Sequence, residues 1–450
     1  MADYHWFEVC GIELEYMIVD RDTLDVRPWA DKLLQAAAGE LTSDYVDGPI
    51  TWSNELALHV IELKTTEPVR SLVGVADQFQ QSVRHLNDVA AQFNACLLPT
   101  GMHPWMDPDR ELRLWPHDSS VIYEAFNRIF DCRGHGWANL QSMHINLPFG
   151  NAEEFGRLHA AIRLLLPLLP GLACSSPIAS GRLTGFLDYR MEVYRQNSAK
   201  IPQVAGVIVP EPVFHPDDYH QQIFQPMFRA IAPYDPEGIL QYPFLNARGA
   251  IARFDRGSIE IRVIDTQEHP AADLAIASLV VEILQQLTAE TWTPYTSQRQ
   301  LSTDGLASVF RAALRDGEQA VIEDSHYLQQ FGWNGGPCTL QTLWRHLLAS
   351  AVGSPQGLSG WGGHTSTQPV VDRQPLDRIV QQGPLARRIL AATGTNFGHS
   401  NTASQSNAAG QNNAALGSPD SVPTDRLRTI YRQLATSLAE GQPFPPESHE

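Results

Sequence analysis

Three separated segments of this chain alternate apolar and ionisable side chains with a period of two, and this pattern restricts the fold more than any other feature. In the run from Gly11 to Val19, Glu13 and Glu15 share one face while Ile12, Leu14, Tyr16 and Ile18 share the other. From Ser142 to Leu147, His144 and Asn146 lie opposite Met143, Ile145 and Leu147. From Ser258 to Ile264, Glu260 and Arg262 lie opposite Ile259, Ile261 and Val263. Each segment reads as a strand that buries one face in a core and presents paired polar groups on the other. A sheet built from them collects Glu, Glu, His, Asn, Glu and Arg on a single concave surface.

Each pair alone has a plainer explanation. Glu13 with Glu15, or Glu260 with Arg262, fits the solvated face of an antiparallel strand, and a lone His144 fits a satisfied structural histidine. Together they are harder to dismiss. Solvated strand faces favour Lys, Thr and Ser, whereas these faces use hard oxygen ligands, one imidazole and one guanidinium. A fourth segment, Ser53 to Pro68, adds Glu62 within a strand-like run, where an unpaired carboxylate is costly. Glu55 precedes it by seven residues, so a bend or bulge must intervene if both face one site. Converging carboxylates with few lysines repel one another without cations. Two or three Mg²⁺ ions, with Mn²⁺ as an alternative, would resolve this, since magnesium takes a few carboxylates and completes its shell with water and substrate phosphate. ATP would supply those phosphates. Arg253, Arg256 and Arg262 are then candidates to neutralise a phosphoryl group in transit, with structural anchoring as the competing reading for each.

The formal charge of −18 argues against a partner with a phosphate backbone, so no nucleic acid is expected. No run reaches the roughly 18 uninterrupted apolar residues of a membrane span. The longest candidate, Ile162 to Ala173, is interrupted by Pro167 and Pro170. No basic-then-apolar leader is visible at the N-terminus, and a cytoplasmic protein is expected. The five cysteines, at 10, 96, 132, 174 and 338, form no CxxC pair and are expected as reduced, mostly buried thiols.

Residues 7–20, 58–66, 141–147 and 250–264 read as strands, with a short strand near Leu97. Ser71 to about Ala95 reads as an amphipathic helix through Leu72, Ala76, Phe79, Val83, Leu86, Ala90 and Phe93, with Ser71 as a candidate N-cap. Ser119 to Phe130, Glu153 to Leu169 and Asp273 to Leu287 also look helical. Residues 175–250 are rich in Pro, Gly and aromatics, which suggests long functional loops or short strands. Four regions follow: a catalytic unit over 1–295, a helical extension over 296–393, a flexible Asn/Ser/Gly-rich linker over 394–423, and a terminal helix and tail over 424–450. That last helix would dock through Leu427, Ile430, Tyr431, Leu434 and Leu438.

Gly-Ile-Glu-Leu-Glu-Tyr at 11–16, Ile-Glu-Leu-Lys-Thr-Thr-Glu-Pro at 61–68 and Gly-Met-His-Pro-Trp at 101–105 resemble the glutamate–cysteine ligase type 2 family. So do Ser-Met-His-Ile-Asn-Leu-Pro-Phe at 142–149 and the run from Asn246 to Arg262. The resemblance spans about residues 7–290 in the family's order and implies an α+β, glutamine synthetase-like fold, in which a curved antiparallel sheet with flanking helices forms the floor of the site. By similarity, Glu13, Glu15, Glu55, Glu62, His144 and Glu260 would ligate metals, Arg262 would sit near the transferred phosphate, and Asn146 would contact the nucleotide. Arg190, within Thr184 to Tyr194, would anchor a substrate carboxylate.

The implied activity is ATP-dependent joining of a carboxylate, glutamate by similarity, to cysteine or another small amine through an acyl phosphate. No nucleophilic Cys or Ser is needed for this, in keeping with the absence of a Gly-x-Ser-x-Gly elbow and of a P-loop. Two rivals use the same residues: a metal-dependent amide hydrolase, and a regulatory member that binds nucleotide without turnover. The resemblance allows a homo-oligomer, since that fold often associates, and the sequence does not set the oligomeric state.

Overall fold

The structure, a computed structural model, describes residues 4–352, 371–394 and 421–445. Its centre is an eight-stranded antiparallel sheet. The strands are β1 (Gly11–Asp20), β2 (Asp44–Asp47), β3 (Ile50–Asn54), β4 (Val60–Thr65), β5 (Ala95–Leu98) and β6 (Ser142–Pro148). A small hairpin, β7 (Ile178–Ala179) with β8 (Arg182–Leu183), stands apart, and β9 (Ala250–Arg253) and β10 (Ser258–Asp265) complete the main sheet. The order is β2-β3-β4-β1-β6-β10-β9, with β5 paired to the far end of β1.

The alternation dictates how this sheet is layered. Ile12, Leu14, Tyr16 and Ile18 of β1, Ile61 and Leu63 of β4, Met143, Ile145 and Leu147 of β6, and Ile259, Ile261 and Val263 of β10 all enter one large core. The helices Val75–Ala91, Ala152–Leu165 and Pro270–Thr288 cover that face, and the last packs against the other two. Pro270–Thr288 is long and apolar enough to cross a membrane, more so than the 162–173 run that stands out in the sequence, but nearly all of it is buried inside the protein as a core helix.

The opposite face changes character along β1. Glu13 and Glu15 are followed on the same side by Met17 and Val19, which join a second, smaller core with Leu427, Ile430, Tyr431 and Leu434 of the helix Thr424–Glu440. The C-terminal helix thus docks through the side chains its sequence pattern indicates, and it closes the apolar half of the face that its acidic half leaves open. Arg388, on the helix Leu385–Thr393, fastens this region. Its Nη1 and Nη2 donate to Glu268 Oε1 and Oε2 at 2.6 and 3.1 Å, and Nη1 also meets the carbonyl of Phe444. Burial alone would raise the Glu268 carboxyl, but the Arg388 charge outweighs it and holds the group below the usual carboxylate range.

Several local expectations are corrected. The first long helix begins at Val75 after Gly74 in the left-handed conformation, and Ser71 is not its cap: its Oγ accepts from the Val73 amide in the preceding turn. The helix ends at Ala91, because the chain must turn before β5 opens at Ala95. Residues 250–264 form two strands, reversing through a turn whose Gly257 has φ +61°. The helix from Ala152 stops at Leu165 and tightens into a 3₁₀ turn at Pro167, where proline removes a donor. Residues 175–250 are, as expected, largely loops with the short β7–β8 strands, and they add a helical stretch that runs unbroken from Pro216 to Ile231. The β2–β3 hairpin carries no expectation in the sequence reading. All five cysteines are free, with only Cys96 partly exposed. Residues 296–352 pack on the same core, with the Tyr327 hydroxyl donating to the Leu164 carbonyl at 2.6 Å. Most of the proposed 394–423 linker lies outside the described residues.

Arg388→Met strands a buried carboxylate and is expected to cost about 3–5 kcal/mol in urea unfolding at neutral pH. Because the Glu268 pKa is depressed by folding, the pair's stabilisation is present above the unfolded carboxylate pKa of about 4.3 and fades as pH falls through the folded value, so the gap to wild type should narrow on acidification.

Candidate active site

The polar ends of four neighbouring strands meet on the open half of the sheet. Register sets Glu13 opposite both His144 on β6 and Lys64 on β4, Glu15 opposite Glu62, and Glu260 opposite Asn146. His144 is the hub. Its Nδ1 lies 2.7 Å from Glu13 Oε2 and 3.8 Å from Glu260 Oε1, and its Nε2 lies 2.8 Å from Ser142 Oγ and 4.0 Å from Glu15 Oε1. Ser142 donates its hydroxyl proton and its amide to Glu15 Oε2, at 2.9 and 2.7 Å. That hydroxyl can therefore only accept from His144, so the ring donates from both nitrogens as an imidazolium. Burial would lower the His144 pKa, but Glu13, Glu15 and Glu260 outweigh it and push it up to about 9.

The carboxylates differ by their company. Burial would raise Glu13, yet its bond to and charge from His144 hold it well below the usual range. Glu62 goes the other way: burial and then the charge of Glu13 raise it against Lys64, His144 and Ser53. Glu55 is raised furthest, by burial and then by Glu62 and Glu15. The bend its seven-residue spacing demands is present. β3 ends at Asn54, the chain turns through residues 55–59, and β4 returns so that Ser53 pairs with Glu62.

Two overlapping sets converge closely enough to hold a cation. Ligand atoms of Glu13, His144 and Glu260 all lie within 4.8 Å of one another, as do those of Glu15, Glu62 and His144. The donor set fits a hard divalent ion. A cationic imidazolium already sits where the carboxylates converge, and Glu55 and Glu62 are raised first by burial and then by neighbouring carboxylates, whose repulsion a divalent charge would offset.

These groups form the floor of a cavity of about 750 Å³ that also reaches Arg190, Arg253, Arg256 and Arg262. Arg262 is bound to Glu260 through both Nε, at 3.1 Å, and Nη2, and Arg253 Nη1 lies 3.7 Å from Glu260 Oε2. A β-bulge between Ile261 and Ile264 adds one residue to β10 and turns Asp265 toward the site side. Arg190 Nε is engaged by Asp265, and Arg190 Nη1 and Nη2 approach the Arg262 carbonyl at 3.4 Å. Arg190 thus supports Arg262 from below while still bordering the cavity where a substrate carboxylate would be anchored. Asn146 donates to Glu13 Oε1 at 2.9 Å and faces a second cavity of about 480 Å³, which shares Glu13, Lys64 and Arg256 with the first.

Sequence reasoning passes over Lys64. It lies two residues beyond Glu62 on the same strand face, and its Nζ reaches Ser53 Oγ at 2.9 Å, Glu62 Oε1 at 3.1 Å and Asp44 Oδ1 at 3.5 Å. The period-two rule that groups the other pairs would have found it. The Gly101–Trp105 motif proves to be a support. A side chain on Gly101 would put Cβ 2.5 Å from the Asp265 carboxyl carbon, and His103 is buried with Nε2 2.8 Å from the Leu24 carbonyl, away from the acids.

Residues 9–332 match the model of glutamate-cysteine ligase family 2 (GCS2). The chain belongs to this family. A protein of Archaeoglobus fulgidus named only "Uncharacterized protein" is 31% identical over 314 residues, covering 69% of this chain and 80% of its own length. A Nocardioides sp. protein named "Putative glutamate--cysteine ligase 2-1" is 26% identical over 293 residues, covering 63% of this chain and 68% of that protein. The crystal structure of a Francisella tularensis glutamate–cysteine ligase in complex with AMP matches over 97% of this chain and 90% of that chain, with a TM-score of 0.53 and 12% identity. The fold is the α+β, glutamine synthetase-like one, and family membership makes this protein a carboxylate–amine ligase.

Gly101→Ala is expected to displace Asp265, and through it Arg190 and Arg262, at a cost of about 1–3 kcal/mol in chemical denaturation. Gly134→Ala, where the added Cβ meets nothing within 4 Å, should shift stability by less than about 0.5 kcal/mol.

Proposed function

We propose that this family member uses ATP and Mg²⁺ to activate the side-chain carboxylate of glutamate and to join it to an amine. The observation that carries the reading is the pair of acidic sets sharing His144, bordered by Arg253, Arg256 and Arg262 on the floor of one cavity. That a relative of the same fold was crystallised with AMP supports an adenine nucleotide as the energy source.

Glu13 and Glu260 would hold one ion and Glu15 and Glu62 another, with Glu55 beside them, and His144, which both sets share, would ligate only after its imidazolium gives up a proton. Mg²⁺, when bound, supplies charge neutralisation for the phosphate oxygens. The protein's own groups do the rest. Arg262 and Arg253, already gathered round Glu260, and Arg256 at the border of the two cavities offer forked donors to the phosphoryl group during transfer. A glutamate carboxylate oxygen attacks the γ-phosphorus, the bond to the β-phosphate oxygen breaks, and ADP leaves. The neutral amine nitrogen then attacks the acyl carbon, the bond to the phosphate oxygen breaks, inorganic phosphate departs with the electron pair, and the nitrogen gives up one proton to the departing phosphate while keeping its amide hydrogen. Lys64 holds Glu62 in position, and Asn146 and Ser142 orient Glu13 and Glu15, so that the ligand oxygens are aligned before substrates arrive.

With Mg²⁺, ATP and glutamate, hydroxylamine should yield glutamyl hydroxamate together with ADP, and Glu260→Ala should lower that rate at least about 10³-fold. Absence of hydroxamate from wild type, or near-normal turnover by the variant, would refute the assignment. A metal readout independent of turnover comes from melting curves. Glu55→Gln, a near-isosteric change at a carboxyl that burial and its acidic neighbours push above the usual range, should leave the metal-free Tm within about two degrees of wild type. It should also remove most of the rise produced by 10-fold excess Mg²⁺ over the wild-type Kd, itself worth about 1.4 kcal/mol.

A further inference from the structure

The 750 Å³ cavity has two unlike sides. Arg253, Arg256, Glu13 and Glu260 line the side that adjoins the second cavity, where Thr65, Thr66 and Ser258 add hydroxyls. Ile122, Tyr123, Phe126, Trp137, Leu140 and Phe244 give the same cavity an apolar wall, and Tyr123, whose hydroxyl accepts from Asn54 at 3.2 Å, places it beside Glu55. Every one of these six is only half-buried, so each keeps apolar surface that a ligand can cover. The wall is rigid from behind. Phe126 and Phe130 pack on the Trp137 ring at centroid distances of 5.4 and 5.7 Å, and the helix Ser120–Phe130 fixes the spacing of Ile122, Tyr123 and Phe126. At its rim Val121 is 58% exposed and Tyr242, stacked on Phe244, is 55% exposed.

A triphosphate seeks the arginines Arg253, Arg256 and Arg262, since no side chain of the apolar wall carries a charge to meet its own. The remaining reactant must meet the acids from the opposite direction. A small polar amino acid would leave most of the wall exposed, and neither Cys nor Met lines the cavity to read a thiol. We infer that the acceptor is a primary amine carrying an aromatic or branched aliphatic body larger than the side chain of cysteine, seated against the wall from Ile122 to Phe244. This rests on the ligase reading above and specifies the acceptor it left open. A cavity of this size lies within the range that encloses drug-sized ligands, and its preformed aromatic lining lowers the ordering cost of binding.

The test uses the full chain with Mg²⁺, ATP and glutamate, and compares cysteine and alanine with leucine, phenylalanine, tyramine and phenethylamine by ADP release and product mass. At least one apolar amine should exceed cysteine in kcat/KM by about tenfold or more. Phe126→Ala should raise the KM for that amine about tenfold and narrow its advantage over cysteine. Cysteine preferred by wild type, in a protein that forms hydroxamate, overturns this inference and leaves the ligase reading standing. A rise confined to the KM of ATP in Phe126→Ala also overturns it, since the wall would then serve the adenine ring. Absence of hydroxamate removes the ligase reading and this inference with it.

Discussion

Glu13, Glu15, Glu62 and Glu260 stand side by side because they sit on adjacent antiparallel strands, whose backbone ladder gives them no freedom to splay apart. Their repulsion is a standing cost that the sheet imposes, and the surroundings are arranged to offset it. His144 carries a positive charge at the centre, Lys64 faces Glu62, and Arg262 with Arg253 closes on Glu260. In a partly buried setting such pairs are worth much more than on an open surface, and removing one partner leaves an expensive charge behind. The supporting contacts follow from this: Ser142 on Glu15, Asn146 on Glu13, and Asp265 holding Arg190 beneath Arg262.

The same face of β1 is acidic at Glu13 and Glu15 and apolar at Met17 and Val19, so one strand serves both a reaction chamber and a second core. The C-terminal helix covers the apolar half, which ties a segment distant in sequence to the integrity of the site. Arg388, bonded to both Glu268 and the Phe444 carbonyl, links that C-terminal cover to the chain just past β10. The site is therefore bounded by hydrophobic burial on one side and by hydrogen-bonded charge on the other, and neither half would hold its geometry without the other.

Much of this was legible before any coordinates. The alternation in β1, β6 and β10 separates Ile12, Leu14, Met143, Ile145, Ile259 and Ile261 in the core from Glu13, Glu15, His144 and Glu260 on the other face and fails only past the bulge, where Ile264 joins the core, and the amphipathic pattern over Thr424–Glu440 names the side chains that dock. The misses have physical causes. The β2–β3 hairpin is short and its strand β2 is rich in Asp, so its period is weak although Trp52 lies fully buried. Ser71 has the chemistry of a cap, but Gly74 offers the left-handed turn that starts the helix four residues later.

What the sequence determined by itself is which side chains share a face, because the direction of a side chain along a strand depends only on local backbone geometry. It also carries enough ordered motif to place the chain in its family. What only the tertiary structure decided is which faces meet. The order β4-β1-β6-β10, the registers that set Glu13 beside His144 and Glu15 beside Glu62, and the bulge that turns Asp265 under Arg190 all depend on hydrogen bonds between segments far apart in the chain. The apolar wall of the cavity belongs to the same class, since Ile122, Trp137 and Phe244 share no pattern in sequence and line one cavity only because separate short helical segments close over one sheet.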